Sequence, residues 1–116
     1  MFNFEKLEVW QKSIAYAGQV CRVTRTFPKE EQFGLTNQIR RAAYSISSNI
    51  AEGSARPPAD FGRFLGYATG SLYEVVTQAT IARNESFLTS NAYSQLYADA
   101  EEISRMLSGL RRSLGD

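Results

Sequence analysis

Histidine is absent from this 116-residue chain. That absence removes the Ser–His–Asp and Cys–His arrangements of nucleophilic catalysis, and the Glu-x-x-His pairs with which some helical bundles hold two iron atoms. Cysteine is nearly absent as well. The lone Cys21 can form no internal disulfide and is too little for a zinc site. The eight glycines include no Walker-type phosphate loop. No apolar run approaches the length that spans a bilayer. The first residues lack the charged-then-apolar order of a secretion signal, so a reducing cytoplasm is the expected compartment. An excess of either charge is also missing: 13 basic residues against 12 acidic leave a net charge of +1, whereas dedicated nucleic-acid-binding domains carry a clear basic surplus. A local basic patch stays open.

What is present is an ordinary globular composition, 43% hydrophobic and 22% charged, in a length that suits one domain spanning residues 1–116. Four segments repeat apolar residues at helical spacing. The first carries Leu7, Trp10, Ile14, Ala17, Cys21 and Thr24, with Asn3 as N-cap and Glu5 in the first turn. Pro28 sets its end near Phe27. The second presents Leu35, Ile39, Ala42, Ile46 and Ile50. The third presents Phe61, Leu65, Ala68, Leu72, Val75, Ala79 and Ala82, opened by Pro58 and Asp60. The fourth presents Tyr93, Leu96, Ala100, Ile103, Leu107, Leu110 and Leu114. No segment alternates with period two, so strands are not expected. Short linkers between helices of matched length, about 20 residues or roughly 30 Å each, predict an all-α, up-down-up-down antiparallel four-helix bundle.

The second segment also carries a polar stripe. Gln38, Ser45 and Glu52 are seven apart, with Asn49 between the last two, and seven-residue spacing drifts only about 20° per repeat. Such a stripe either lies in solvent or is held between helices or subunits, where amides and hydroxyls need partners. The small neighbours Ala42, Ala43, Ser47 and Ser48 favour the second placement. Gly62, Gly66 and Gly70 recur every fourth residue of the third segment and predict a groove that admits a neighbouring helix. Glu52 and Glu74 are the one carboxylate pair that could meet across helices for hydrolysis or magnesium binding. The plainer reading pairs Glu52 with Arg56 at i,i+4. Nothing else completes a catalytic site, so neither enzyme, metal nor cofactor is expected. Arg40 and Arg41 are adjacent, Arg56 and Arg63 flank the following loop, Arg111 and Arg112 lie near the end, and Arg22 and Arg25 close the first helix. In a cyclic oligomer a patch of two or three arginines would recur as a ring able to contact phosphates.

The blocks FEKLEVWQKS, FGLTNQIRRAAYSISSNIAEG and ATGSLYE, in this order, resemble the small bacterial four-helix-bundle proteins first noticed in intervening sequences of large-subunit ribosomal RNA genes. The accessory protein of diversity-generating retroelements is similar to the same family. The resemblance implies a ring-shaped homopentamer, associated with structured RNA or with a nucleic-acid-processing protein such as a reverse transcriptase, and no membrane. No enzymatic activity is implied. Matched residue by residue, it points to Trp10, Gln38, Arg40, Arg41, Ser45, Asn49, Ile50, Glu52, Gly53, Gly70, Ser71 and Glu74. The loop ARPPAD departs from a more Ser/Lys-rich pattern, and Gly62 and Gly66 stand where larger residues are common.

Two readings result. One is a non-enzymatic homo-oligomeric scaffold binding RNA weakly through the phosphate-directed residues Arg40, Arg41, Arg56 and Arg63. The other is a protein-interaction module without a nucleic-acid role. In both, Trp10, Gln38, Ser45, Asn49, Glu52, Gly53, Gly66, Gly70 and Glu74 are the expected interface residues between helices or subunits.

Overall fold

The computed structural model describes residues 1–115, which form four α-helices and no strand. Helix α1 spans Glu8–Thr24, α2 Leu35–Ser54, α3 Pro58–Asn84 and α4 Ser90–Ser113, with short 3₁₀ turns at Asn3–Lys6 and Lys29–Glu31. The lengths are 17, 20, 27 and 24 residues, so the expectation of matched helices fails. Helix α3 runs longest because nothing breaks it between Pro58, at its first position, and Ser86. There the chain turns left-handed with φ 63°, and the Phe87 N–H donates back to the Ala82 carbonyl at 2.8 Å, closing the helix in a Schellman motif. Helix α4 is capped by Thr89, whose Oγ1 accepts the Ala92 N–H at 3.1 Å.

Asn3 does not cap α1. It opens the 3₁₀ turn, where Glu5 Oε1 accepts the Phe2 N–H at 2.8 Å, and the helix proper begins after an extended Leu7. The rings of Phe2 and Phe4 stack at 5.6 Å, and Phe4 meets Trp10 edge-on at 5.2 Å. These contacts fold the N-terminal turn onto the bundle, leaving the α-helix a later start.

Cross-helix contacts settle the topology. Tyr44 of α2 meets Cys21 of α1, and Arg40 meets Thr24. Ser45 pairs with Ser71 and Gln38 with Gln78 between α2 and α3. Thr80 meets Tyr93 and Gly66 lies beside Arg111 between α3 and α4. The α4–α1 pair is joined by the Tyr16 hydroxyl on the Leu96 carbonyl and by Lys12 against Asp99 and Glu102. In each pair rising numbers on one helix meet falling numbers on the next. Every neighbouring pair is therefore antiparallel, and the helices close a cycle around one core. The rod measures 43 × 22 × 22 Å.

The expected apolar edges of α2 and α3 are buried, with Leu35 half-buried at the start of α2, and so is the centre of the α4 edge. Helix α1 differs. Its buried residues are Val9, Ser13, Tyr16, Ala17, Val20 and Thr24, while Ile14 is exposed and Trp10 and Cys21 are half-buried. The helix is turned so that polar-capable residues face inward. They fit because each hydroxyl has an acceptor: Ser13 donates to the Val9 carbonyl, Thr24 to Val20, and Tyr16 to Leu96.

Candidate functional site

The polar stripe of α2 faces a matching stripe on α3, and together they line an open cleft of about 360 Å³. Gln38, Arg41 and Ser45 come from α2, and Ser71, Glu74 and Gln78 from α3. The stripes align because positions i, i+3 and i+7 on α3 share one face, as do the corresponding positions on α2. At the floor the Ser71 hydroxyl donates to Ser45 Oγ at 3.0 Å, and Asn49 Nδ2 donates to the same oxygen at 3.0 Å and to the Ser45 carbonyl at 2.8 Å. Ser45 thus accepts twice and keeps its own proton to donate. Gln78 reaches Gln38 Oε1 through a long 3.5 Å contact, and its own Oε1 is buried without a hydrogen-bond partner among the described residues. Arg41 and Glu74 are exposed on the walls, and neither belongs to an ion pair among the described residues.

Most of the expected stripe is therefore in one place, but it is not sealed. Ser45 and Asn49 are half-buried, whereas Gln38, Glu52 and Glu74 are exposed. Glu52 lies outside the cleft. Ser45 pairs with Ser71 and Gly53 sits against Phe64, which sets Glu74 level with about residue 42 of α2. Ten positions separate that level from Glu52, or about 15 Å along the helix, too far for two carboxylates to share a reaction or an ion. The anticipated Glu52–Arg56 pair is absent among the described residues; Arg56 instead lies over the Phe64 ring at 4.6 Å. No group of three or more His, Cys, Asp or Glu is placed to hold a metal among the described residues.

The glycines divide differently from their spacing. The close approach of α2 to α3 occurs at Gly53, where an added Cβ would lie 2.6 Å from the Phe64 Cβ. Gly62 is buried. Beside Gly66 the space is filled by the Arg111 guanidinium, 3.0 Å from an added Cβ, and Gly70 has nothing within 4 Å. At Gly66 and Gly70 the every-fourth-residue repeat therefore makes no helix-packing groove, because only close contact with a neighbouring backbone or Cβ requires glycine.

The four candidate phosphate-binding arginines are also separated. Arg40 and Arg41 are adjacent in sequence but about 100° apart around the helix. Arg40 turns to α1, donating from Nε to Thr24 Oγ1 at 2.8 Å and from an η nitrogen to the Cys21 carbonyl at 3.5 Å. It tethers the C-terminal, partly negative end of α1. Arg41 lies on the cleft. Arg56 and Arg63 lie at the α2–α3 turn, where Arg63 pairs with Asp60 at 2.9 Å. Replacing Arg40 by alanine is expected to lower unfolding free energy by about 1.5 kcal/mol, the worth of a hydrogen bond from a charged donor. Urea unfolding measures it; a value near zero would return Arg40 to the pool of surface charges.

Gln78 and Ser71 complete the cleft, yet Gln78 is not among the residues the sequence reading singled out. The signal was available: Ser71, Glu74 and Gln78 repeat at three and four along a helix whose apolar edge is otherwise clean.

Fold and cleft define a small all-α protein with four helices among the described residues. Residues 5–109 match the family described as 23S rRNA-intervening sequence protein, and the chain belongs to that family. Among solved structures it is similar to a protein of unknown function from the S23 ribosomal protein family of Bacteroides thetaiotaomicron VPI-5482. The TM-score is 0.82 at 24% identity over 90% of this chain and 95% of that one, a likeness of fold. No curated protein matches the sequence. No helix among the described residues is long and apolar enough to cross a membrane.

Proposed function

We propose that this chain is the non-catalytic subunit of a ring-like homo-oligomeric scaffold, five-membered as the family resemblance implies, whose α2–α3 cleft is an assembly surface. The observation that carries this reading is the set of unmatched groups lining the cleft: a Ser45 hydroxyl with a proton to give, and Arg41 and Glu74 exposed on the walls and in no ion pair among the described residues. Opposite charges and hydroxyls gathered in one open cleft are groups that an abutting subunit can pair, and polar contacts of this kind fix the register of an assembly more than they add stability. Size exclusion with light scattering is the direct test. The expected mass is a multiple of the 13.0 kDa chain; a monomer at every concentration would end the reading.

A second reading has its own support. Arg56 and Arg63 sit together at the α2–α3 turn, and the contact of Gly66 with Arg111 brings the α4 terminus, with Arg112, to the same end of the rod. Repeated around a ring, this end presents a band of guanidinium groups suited to the phosphates of structured RNA. The joint replacement Arg56→Gln and Arg63→Gln is expected to weaken RNA binding for all sequences and flatten its salt dependence.

A further inference from the structure

A second cleft, of about 450 Å³, opens on the other side of α3, between α3 and α4. Its character is different. Leu72, Val76 and Ala100 form an apolar floor, and Tyr73 and Tyr97 stand at the rim, 59% and 45% exposed. Along its α4 edge Tyr97, Glu101 and Arg105 follow one another at every fourth residue, so they form one ridge on one face. Glu101 and Arg105 are exposed, and neither is in an ion pair among the described residues. The ridge thus offers one negative and one positive charge a single helical turn apart, about 6 Å along the axis, beside aromatic surface.

The α2–α3 cleft carries the complementary pair. From the Ser45–Ser71 and Gln38–Gln78 contacts, Arg41 is level with residue 75 of α3. Arg41 and Glu74 therefore face each other across the cleft at one height. We infer that the α4 ridge of a second copy of this chain lies obliquely across the α2–α3 cleft, with its Glu101 against Arg41 and its Arg105 against Glu74. The inference rests on the scaffold reading above and names the surface that meets the cleft. A guanidinium entering beside Glu74 meets a carboxylate that is exposed and in no ion pair among the described residues. Small side chains make room, with Ala42, Ser45 and Ser71 among the residues that line the cleft.

The contact is head-to-tail, because the ridge and the cleft are different surfaces of one subunit. Heterologous contacts of this kind propagate until rotation closes them. The two surfaces flank α3 on neighbouring sides of the bundle, so each contact turns the next copy relative to the last and a closed ring can form. A two-fold dimer, which would set each cleft on its own copy, leaves the tyrosine ridge uncovered.

Charge reversal tests the pairing. Glu74 and Arg105 are both exposed, so reversing either leaves the core intact, which circular dichroism checks. Glu74→Arg alone and Arg105→Glu alone are each expected to weaken self-association at least about tenfold in sedimentation equilibrium, because each sets like charges together. The double reversal Glu74→Arg with Arg105→Glu restores the opposition and should recover most of the loss. An oligomer that neither single reversal weakens, or a double variant no better than the singles, overturns this contact and leaves the scaffold standing. A monomeric wild type removes both.

Discussion

Gly53→Ala is expected to lower the unfolding free energy by about 2 kcal/mol, the usual range for overpacking a tight contact. Two effects oppose each other. Alanine is the better helix former by up to about 1 kcal/mol, and position 53 lies in the last turn of α2, where that gain is smaller. Against it stands geometry. The added Cβ would lie 2.6 Å from the Phe64 Cβ and 3.0 Å from Phe61 Cδ1. The first neighbour is fixed to the α3 backbone and cannot swing aside, so the helices must part at this level. For a chain of this size the loss corresponds to a fall of about 8 °C in midpoint temperature, read at fixed protein concentration because assembly also shifts it. A midpoint that rises would show that α2 and α3 have slack at this level.

The second large effect is alkaline. Tyr16 is only 2% exposed. Burial first, and the Asp99 charge second, push its phenol well above the ordinary value of 10.0. The protonated hydroxyl donates to the Leu96 carbonyl at 3.0 Å, which ionisation would abolish. For an acid whose folded value is raised, the contribution to stability is complete below the unfolded value. It falls away as pH climbs above about 10, where only the unfolded chain gives up its proton. The slope from this one group approaches 1.4 kcal/mol per pH unit. Tyr16→Phe should therefore cost about 1 kcal/mol at neutral pH yet flatten the decline between pH 10 and 11. Urea unfolding of both proteins across that range decides it. Parallel declines would mean that Tyr16 ionises freely in the folded chain.

Tyr16 shows where sequence reading loses its grip. Apolar periodicity on α1 favoured Leu7, Trp10, Ile14 and Cys21, because a tyrosine or serine counts as polar until its partner is known. The partner of Tyr16 is a carbonyl 80 residues away. Helices α2 and α3 were legible because their inward residues are simply apolar or small and need no distant acceptor. The glycines make the same point. Spacing singled out Gly66 and Gly70 along with Gly62, but Gly66 and Gly70 meet no neighbouring backbone, while a close approach falls at Gly53, which only the resemblance had marked. The carboxylates Glu52 and Glu74 could be judged only once the stagger of α2 against α3 was known.

The chain alone determined that this is an all-α protein of four helices, where those helices begin to within a few residues except at the N-terminus, and which chemistries lack their residues. These follow from local periodicity, breakers and counts, which need no knowledge of what lies across the core. The three-dimensional arrangement decided the rest: that the α2 stripe meets Ser71, Glu74 and Gln78, that Arg40 serves α1 while Arg41 faces the cleft, and that Gly53 is the tight point. Each depends on the rotation and axial stagger of one helix against another, and those are set jointly by all the packed side chains.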